Sequence, residues 1–239
     1  MAIPGSVTVV AVHGAWADGS SWRDVILSLE REGLRVIAAP IPLTSLGDDT
    51  AALKRAIART EGPVILAAHA YGGAVIATLN DDRVKALVYV AALAPDEGET
   101  VADIFYRDEP HPLSPKLAPD ADGLIWMPAD GFRNAFAQNA TADQIALSAA
   151  VQRPIALQCI QVPVAKPAWK SKPSWFLIAE EDRMINPKTQ HFMAERMKAT
   201  TRAFAVDHTP LLSAPQKVVD IVLEATRAVS SANAKKEAS

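Results

Sequence analysis

Residues Val64 to Ala77, V-I-L-A-A-H-A-Y-G-G-A-V-I-A, constrain the fold of this 239-residue chain more than any other stretch. An apolar run suited to a buried strand enters a cluster of small side chains and leaves as a helix. A strand that turns this sharply into a helix has no room for bulky neighbours, and the residue at the apex is held in a strained backbone conformation. The pattern for such a turn is G-x-S-x-G, and here it reads Ala68-His69-Ala70-Tyr71-Gly72. Ala68 is a small departure, and Gly73 and Ala74 keep the helix start narrow. Ala70 stands at the apex, where the pattern has a nucleophilic Ser. Ala there should have φ > 0 and carry strain of about 1 kcal/mol. It offers no oxygen to attack a carbonyl, and no neighbour in the motif replaces it. Taken alone, the segment reads equally well as a Gly-rich turn after a buried strand.

Three further segments, in order along the chain, favour the catalytic reading. Val7 to Trp16, V-T-V-V-A-V-H-G-A-W, is a Val-rich run of the kind that forms a buried parallel strand. Gly14 lets the chain turn after it, so that the backbone N–H of Ala15, with Trp16 as second choice, can point to the same place as that of Tyr71. Two N–H groups so aimed stabilise a developing oxyanion. His13 reads foremost as a buried histidine holding this loop by a hydrogen bond, and secondarily as a pocket contact. Ser174 to Asn186, S-W-F-L-I-A-E-E-D-R-M-I-N, runs from an apolar strand into three acidic residues. A carboxylate just past a strand end can orient an imidazole and stabilise its charged form. Asp182 is the first choice, then Glu181, then Glu180. Thr201 to Pro215, T-R-A-F-A-V-D-H-T-P-L-L-S-A-P, ends a strand at His208. Last in the order nucleophile, acid, base, His208 is the expected general base. Asp207, its neighbour in sequence, should point away from the ring.

With these segments in place, the chain resembles the α/β-hydrolase superfamily, and within it small bacterial hydrolases similar in pattern to plant methyl esterases and hydroxynitrile lyases. The resemblance runs from V-H-G-A-W-A-D-G-S-S-W through L-V-Y-V-A-A-L-A-P-D-E-G-E and Q-R-P-I-A to F-M-A-E-R-M and D-H-T-P-L-L-S-A-P. It implies a triad of Ala70 (normally Ser), Asp182 and His208, with Ala15 and Tyr71 as oxyanion donors, and no metal or cofactor. The unspoiled state of the rest of the triad and of the oxyanion loop points to an introduced Ser→Ala change rather than to the drift of a natural pseudoenzyme.

The expected fold is an α/β-hydrolase fold: a trimmed, mostly parallel sheet of about six strands, with helices on both faces and a cap insertion. Strands are expected near 7–12, 35–39, 64–69, 84–91, 174–179 and 201–206. Helices are expected near 20–32, 48–60, 72–80, 187–199 and 214–229. The active site then lies at the carboxyl ends of the strands. Residues 1–95 and 173–229 form the core, 96–172 the cap, and 230–239 a frayed, flexible tail. The cap holds Phe105, Tyr106, Trp126, Phe132, Phe136 and Trp169. With Trp16 and His13, Trp126 and Phe132 are the candidate substrate contacts. Asp130, Glu97 and Glu99 are expected to be solvated.

Composition narrows the function. With 49% hydrophobic residues the chain can bury one large core. A net charge of −3 without a basic cluster argues against nucleic acid. No run reaches the roughly 20 apolar residues needed to cross a bilayer, and a cytoplasmic location is expected. Cys159, the only cysteine, sits among Ala156, Leu157 and Ile160 and reads as inert packing. The expected activity is hydrolysis of a small carboxylic ester or lactone, with this chain an inactive form. The alternatives are a non-catalytic protein that binds an intact small molecule and, last, a hydroxynitrile lyase. The lyases carry Thr where this chain has Gly14 and Lys where it has Thr209.

Overall fold

The computed structural model describes residues 7–237, with side chains to residue 231. Its strands are β1 (Thr8–Val12), β2 (Arg35–Ala39), β3 (Val64–His69), β4 (Val84–Val90), β5 (Leu124–Ile125), β6 (Ile155–Ala156), β7 (Ser174–Ala179) and β8 (Thr200–Phe204). Six of them form one sheet in the order β2-β1-β3-β4-β7-β8. Every pairing in that sheet is parallel. β5 and β6 pair antiparallel in the cap.

The central strands are apolar along their length because both faces of the sheet are covered. Side chains of a strand alternate between faces, so β1 and β3 serve two cores at once. Val9, Ala11, Ile65 and Ala67 pack with Val25 and Leu29 of helix Arg23–Arg31 and with Val218 and Val222 of helix Pro215–Glu237. Val10, Val12 and Leu66 belong to the opposite core, with Leu53 and Ile57 of helix Leu46–Ala58, Met193 of helix Pro187–Arg196, and cap residues such as Phe132 and Phe136. The edge strands β2 and β8 are less buried than the central ones: β2 is largely half-buried, and β8 mixes exposed and half-buried residues.

The expected helices are present with shifted ends. Helix Leu46–Ala58 begins earlier than expected because the Ser45 side chain accepts the N–H of Asp48 and caps it there. The helix after the sharp turn ends at Ala77. The tail expected to fray from residue 230 is instead helical through Glu237, with Ala and Lys, good helix formers, extending the preceding helix. Residues 238–239 lie outside the described residues. The cap is a series of short elements, among them helix Val101–Phe105 and helix Ala142–Ala150, each started by a reciprocal capping box, Thr100 with Asp103 and Thr141 with Gln144. None of the described helices is long and apolar enough to cross a membrane.

Candidate active site

The turn after β3 has the geometry that its small residues predict. Ala70 sits at φ +48°. Its carbonyl accepts the N–H groups of Gly73 (3.1 Å) and Leu93 (3.0 Å), and its own N–H donates to the Val90 carbonyl at 3.3 Å. The carbonyl of Ala70 and the N–H of Tyr71 share one planar trans peptide, so pinning the oxygen on one side aims the N–H to the other. The absence of side chains at the glycines is enforced by backbone. A Cβ on Gly72 would lie 2.7 Å from the His13 carbonyl oxygen, and one on Gly73 would overlap the carbonyl oxygen of Leu93. A Cβ on Gly14 would lie 2.8 Å from that of Ala70, so the loop after β1 passes directly against the apex.

The two residues proposed as acid and base meet beside this turn. His208 Nδ1 lies 2.8 Å from Asp182 Oδ2, and both side chains are buried. A carboxylate can only accept, so Nδ1–H donates the hydrogen bond to Asp182, which leaves Nε2 as the ring nitrogen not engaged by the carboxylate. Asp182 is held in turn: Oδ1 accepts the N–H groups of Met184 (2.7 Å) and Ile185 (2.9 Å), and Oδ2 accepts Gln190 Nε2 at 2.8 Å. Gln190, buried in helix Pro187–Arg196, was not singled out by the sequence. Its Oε1 also accepts the N–H of Ala179 at the end of β7. The other acidic candidates are engaged elsewhere, Glu180 with His191 and Glu181 with Asn139. Asp207 accepts the hydroxyl of Ser213 and the N–H of Asn139, away from the imidazole.

His69, between Ala68 and the apex, ties His208 to the turn. Its Nε2 lies 2.7 Å from the His208 carbonyl oxygen, and the two rings are 4.9 Å apart. Burial, with His208 alongside, holds the His69 pKa down to about 3, so the ring is neutral and Nε2–H is the donor. Phe136, at the end of a π-helical turn (Phe132–Phe136), closes the other side, with its ring centroid 5.3 Å from that of His208. The Phe136 carbonyl accepts the Thr209 hydroxyl at 3.0 Å.

A cavity opens onto these groups. Ala15, Trp16, Ala70, Tyr71 and His208 line its floor, and Val101, Phe105, Leu117, Ile125, Ile155 and Ile160 of the cap line the roof. Among the described residues, His208 is the one His that lines it, and no Asp, Glu, Lys or Arg does. Among the described residues no acceptor is found for the backbone N–H of Ala15, Trp16 or Tyr71. Trp16 itself takes φ +57° and donates its ring N–H to the Ile125 carbonyl at 2.9 Å, which joins the floor to the cap.

The remaining predicted contacts fall elsewhere. Trp126 is 47% exposed, donates to Asp120 and does not line the cavity, because β5 turns its side chain outward while Ile125 faces in. Phe132 is fully buried against Phe136 and forms part of the cap core rather than the cavity wall. His13 is buried with its Nδ1–H donating to the Gly14 carbonyl (2.9 Å), as its loop-holding reading expects, and it too stays off the cavity wall. Glu99 is engaged rather than free in solvent, accepting Arg196 at 2.8 Å. Glu97 has a Lys170 ammonium 3.7 Å away. Asp49, which no sequence pattern marked, lies fully buried behind the turn and accepts the Tyr71 hydroxyl at 2.6 Å.

Comparison with known proteins agrees with this architecture. A curated relative, norfluorocurarine synthase 2 of Strychnos sp, is 24% identical over 259 residues, covering 92% of this chain and 95% of that one. The carbendazim hydrolyzing esterase of Nocardioides sp. (strain SG-4G) is 29% identical over 120 residues, 44% of this chain and 50% of that one. Among solved structures, a variant of tomato methylketone synthase I complexed with beta-ketoheptanoate superposes with a TM-score of 0.79 at 16% identity, covering 92% of this chain and 97% of that one. The model of the alpha/beta hydrolase family matches residues 9–221. With its parallel sheet, sharp turn and inserted cap, the chain belongs to the α/β hydrolase family.

Proposed function

We propose that the site is built to cleave a small, uncharged carboxylic ester or lactone by acyl transfer, and that Ala70 removes the attacking oxygen from an otherwise complete arrangement. The observation that carries this reading is the buried His208–Asp182 pair, set against the turn of Ala70 at the floor of a cavity with an almost wholly apolar lining. With Ser at position 70, His208 Nε2 takes the hydroxyl proton as the oxygen bonds to the substrate carbonyl carbon. Asp182 steadies the imidazolium, and the free N–H groups of Ala15 and Tyr71 hold the oxyanion. His208 returns the proton to the departing alcohol, and water then releases the acid by the same route. Among the described residues no Lys or Arg lines the cavity, so a neutral ester enters without the desolvation cost that a carboxylate or phosphate meets there. In the chain as it stands the site binds and orients such a molecule without cleaving it.

Ala70 itself favours a second reaction, one that needs no nucleophile. A base and two oxyanion donors suffice to pass through an enolate. A β-keto acid entering the apolar cavity would lose the hydration of its carboxylate. The bond to that carboxylate breaks, its electron pair moves into the ketone to form an enolate held by the two N–H groups, and carbon dioxide leaves. His208, having taken the carboxyl proton of the β-keto acid on its entry, then delivers that proton to the α-carbon and returns to its starting state. The shared fold with a methylketone synthase solved with beta-ketoheptanoate supports testing this substrate class.

One panel separates the two. Neutral aryl, methyl and lactone esters and β-ketoheptanoate are offered to the chain and to its Ala70→Ser variant. Ester turnover gained only with Ala70→Ser supports acyl transfer. Release of carbon dioxide by the unaltered chain, lost in His208→Ala, supports the enolate route. Binding of intact esters with turnover in neither form leaves a binding protein.

A further inference from the structure

We propose that Asp49 is a positioning residue for the oxyanion site, fixing Tyr71 and the adjoining cap wall from behind the cavity. The inference rests on the reading of Tyr71 N–H as an oxyanion donor and deepens it.

Asp49 lies in the first turn of helix Leu46–Ala58 and is fully buried. Its carboxylate gathers three donors from three separate segments. Oδ2 accepts the Tyr71 hydroxyl at 2.6 Å, Oδ1 accepts the Leu43 N–H at 2.7 Å, and the Cys159 thiol stands 3.7 Å from Oδ2. No salt bridge to Asp49 is found among the described residues, so hydrogen bonds alone offset the burial of the group. Burial raises the Asp49 pKa above the ordinary carboxylate range, with the Tyr71 and Leu43 bonds acting in the opposite direction. Keeping such a group in an apolar core costs free energy that an apolar side chain would not.

What the three donors have in common is the cavity. Tyr71 follows the apex directly, and its peptide plane is held at one end by the bonds to the Ala70 carbonyl. The Tyr71 side chain, anchored at its tip by Asp49, holds the other end. Leu43 sits at φ +63°, an unfavourable conformation for a γ-branched residue, with Asp49 bonded to its N–H. The Leu43 carbonyl accepts the N–H of Ala156 in β6 at 3.0 Å. Ile155 and Ile160, which flank Ala156 and Cys159, both line the cavity. One carboxylate therefore sets the turn that carries the N–H and the cap strand that faces it.

The test uses the chain as it exists, which cannot cleave a bound ester by acyl transfer. Phenyl acetate labelled with ¹³C at the carbonyl is bound to the parent, to Asp49→Asn and to Tyr71→Phe, which removes only the hydroxyl. The infrared carbonyl band of the bound ester is compared with that of the same ester in hydrocarbon. In the parent, the N–H donors lower the band. In both variants it moves at least halfway back towards the hydrocarbon position while the affinity changes only a few-fold, a pattern that a role in stability alone does not produce. A band at the parent position in both variants overturns the proposal. If the parent binds no ester, the functional reading fails, and the anchoring is read from the backbone amide resonance of Tyr71. A resonance unchanged by Asp49→Asn and Tyr71→Phe then overturns it.

Discussion

Replacing Asp182 with Ala removes the acceptor of four donors at once: the N–H groups of Met184 and Ile185, Gln190 Nε2 and His208 Nδ1. Two effects oppose each other. Deleting the carboxylate removes the cost of burying a charge, because its side chain is completely buried. It also strands donors, each costing about 1–3 kcal/mol when left without a partner. The gap left by a carboxylate holds a water that can serve some of the four, so the count that matters is the two or so left unserved. The net loss is then about 3 kcal/mol, which for a domain of this size lowers the melting temperature by about 6–12 °C. Asp182→Asn should cost less, because its amide oxygen still accepts from Met184 and Ile185. Its amide N–H groups, however, face the donors of Gln190 and His208, and the His208 ring must change tautomer to accept from them. Thermal unfolding followed by circular dichroism, with urea titration as a second measure, reads the difference. Asp182→Ala within about 0.5 kcal/mol of the parent, the range of ordinary surface substitutions, would refute the view that this carboxylate organises the segment Asp182 to Ile185.

Other outcomes follow from the same geometry. Gly73→Ala forces a methyl onto the Leu93 carbonyl and should destabilise by about 1–3 kcal/mol or more, whereas Gly47→Ala, with nothing nearer than 3.8 Å, should stabilise by about 0.5–1 kcal/mol, both by urea titration. His69 titrates at about 3 when folded against 6.5 as its ordinary value, so the unfolded chain binds more protons in that window. Stability from this group is complete above pH 6.5 and is lost as pH falls towards 3. His69→Gln, which keeps an N–H for the His208 carbonyl, should flatten that part of the stability curve, and an unchanged slope would contradict it. Ile155→Asp, which puts a charge on the cavity wall, should abolish binding of neutral aryl esters in calorimetry, whereas Trp126→Ala, on an exposed side chain, should leave it unchanged.

The core of the fold was legible because burial on both faces of a parallel sheet writes continuous apolar runs such as Val64 to Ala68, and because glycines crowd where backbone meets backbone. The pairing of Asp182 with His208 was legible as order along the chain, although three consecutive acidic residues could be separated only by seeing which one lies buried between Met184 and the imidazole. The cap was much less legible. Its elements are short, and whether an aromatic faces cavity, core or solvent depends on a single residue of register, which sends Ile125 in and Trp126 out. Asp49 and Gln190 left no signal, because an acid in a helical first turn and an amide within a helix look like solvated residues until their partners, distant in sequence, are brought to them. The continuation of the last helix past residue 229 followed local helix propensity against a composition that looked like a tail.

On the proposed reading, position 70 lacks only its oxygen, and His208 and Asp182 stand ready to use one. Turnover of 4-nitrophenyl acetate is the most direct measure, compared among the parent, Ala70→Ser, and Ala70→Ser carrying His208→Ala or Asp182→Asn. Hydrolysis above background is expected only with Ala70→Ser, with a fall of about 10⁴ in kcat when Asp182→Asn is added and about 10⁶ with His208→Ala, because such groups act as a unit. Turnover by Ala70→Ser no greater than the parent, or equal turnover after His208→Ala, would contradict it.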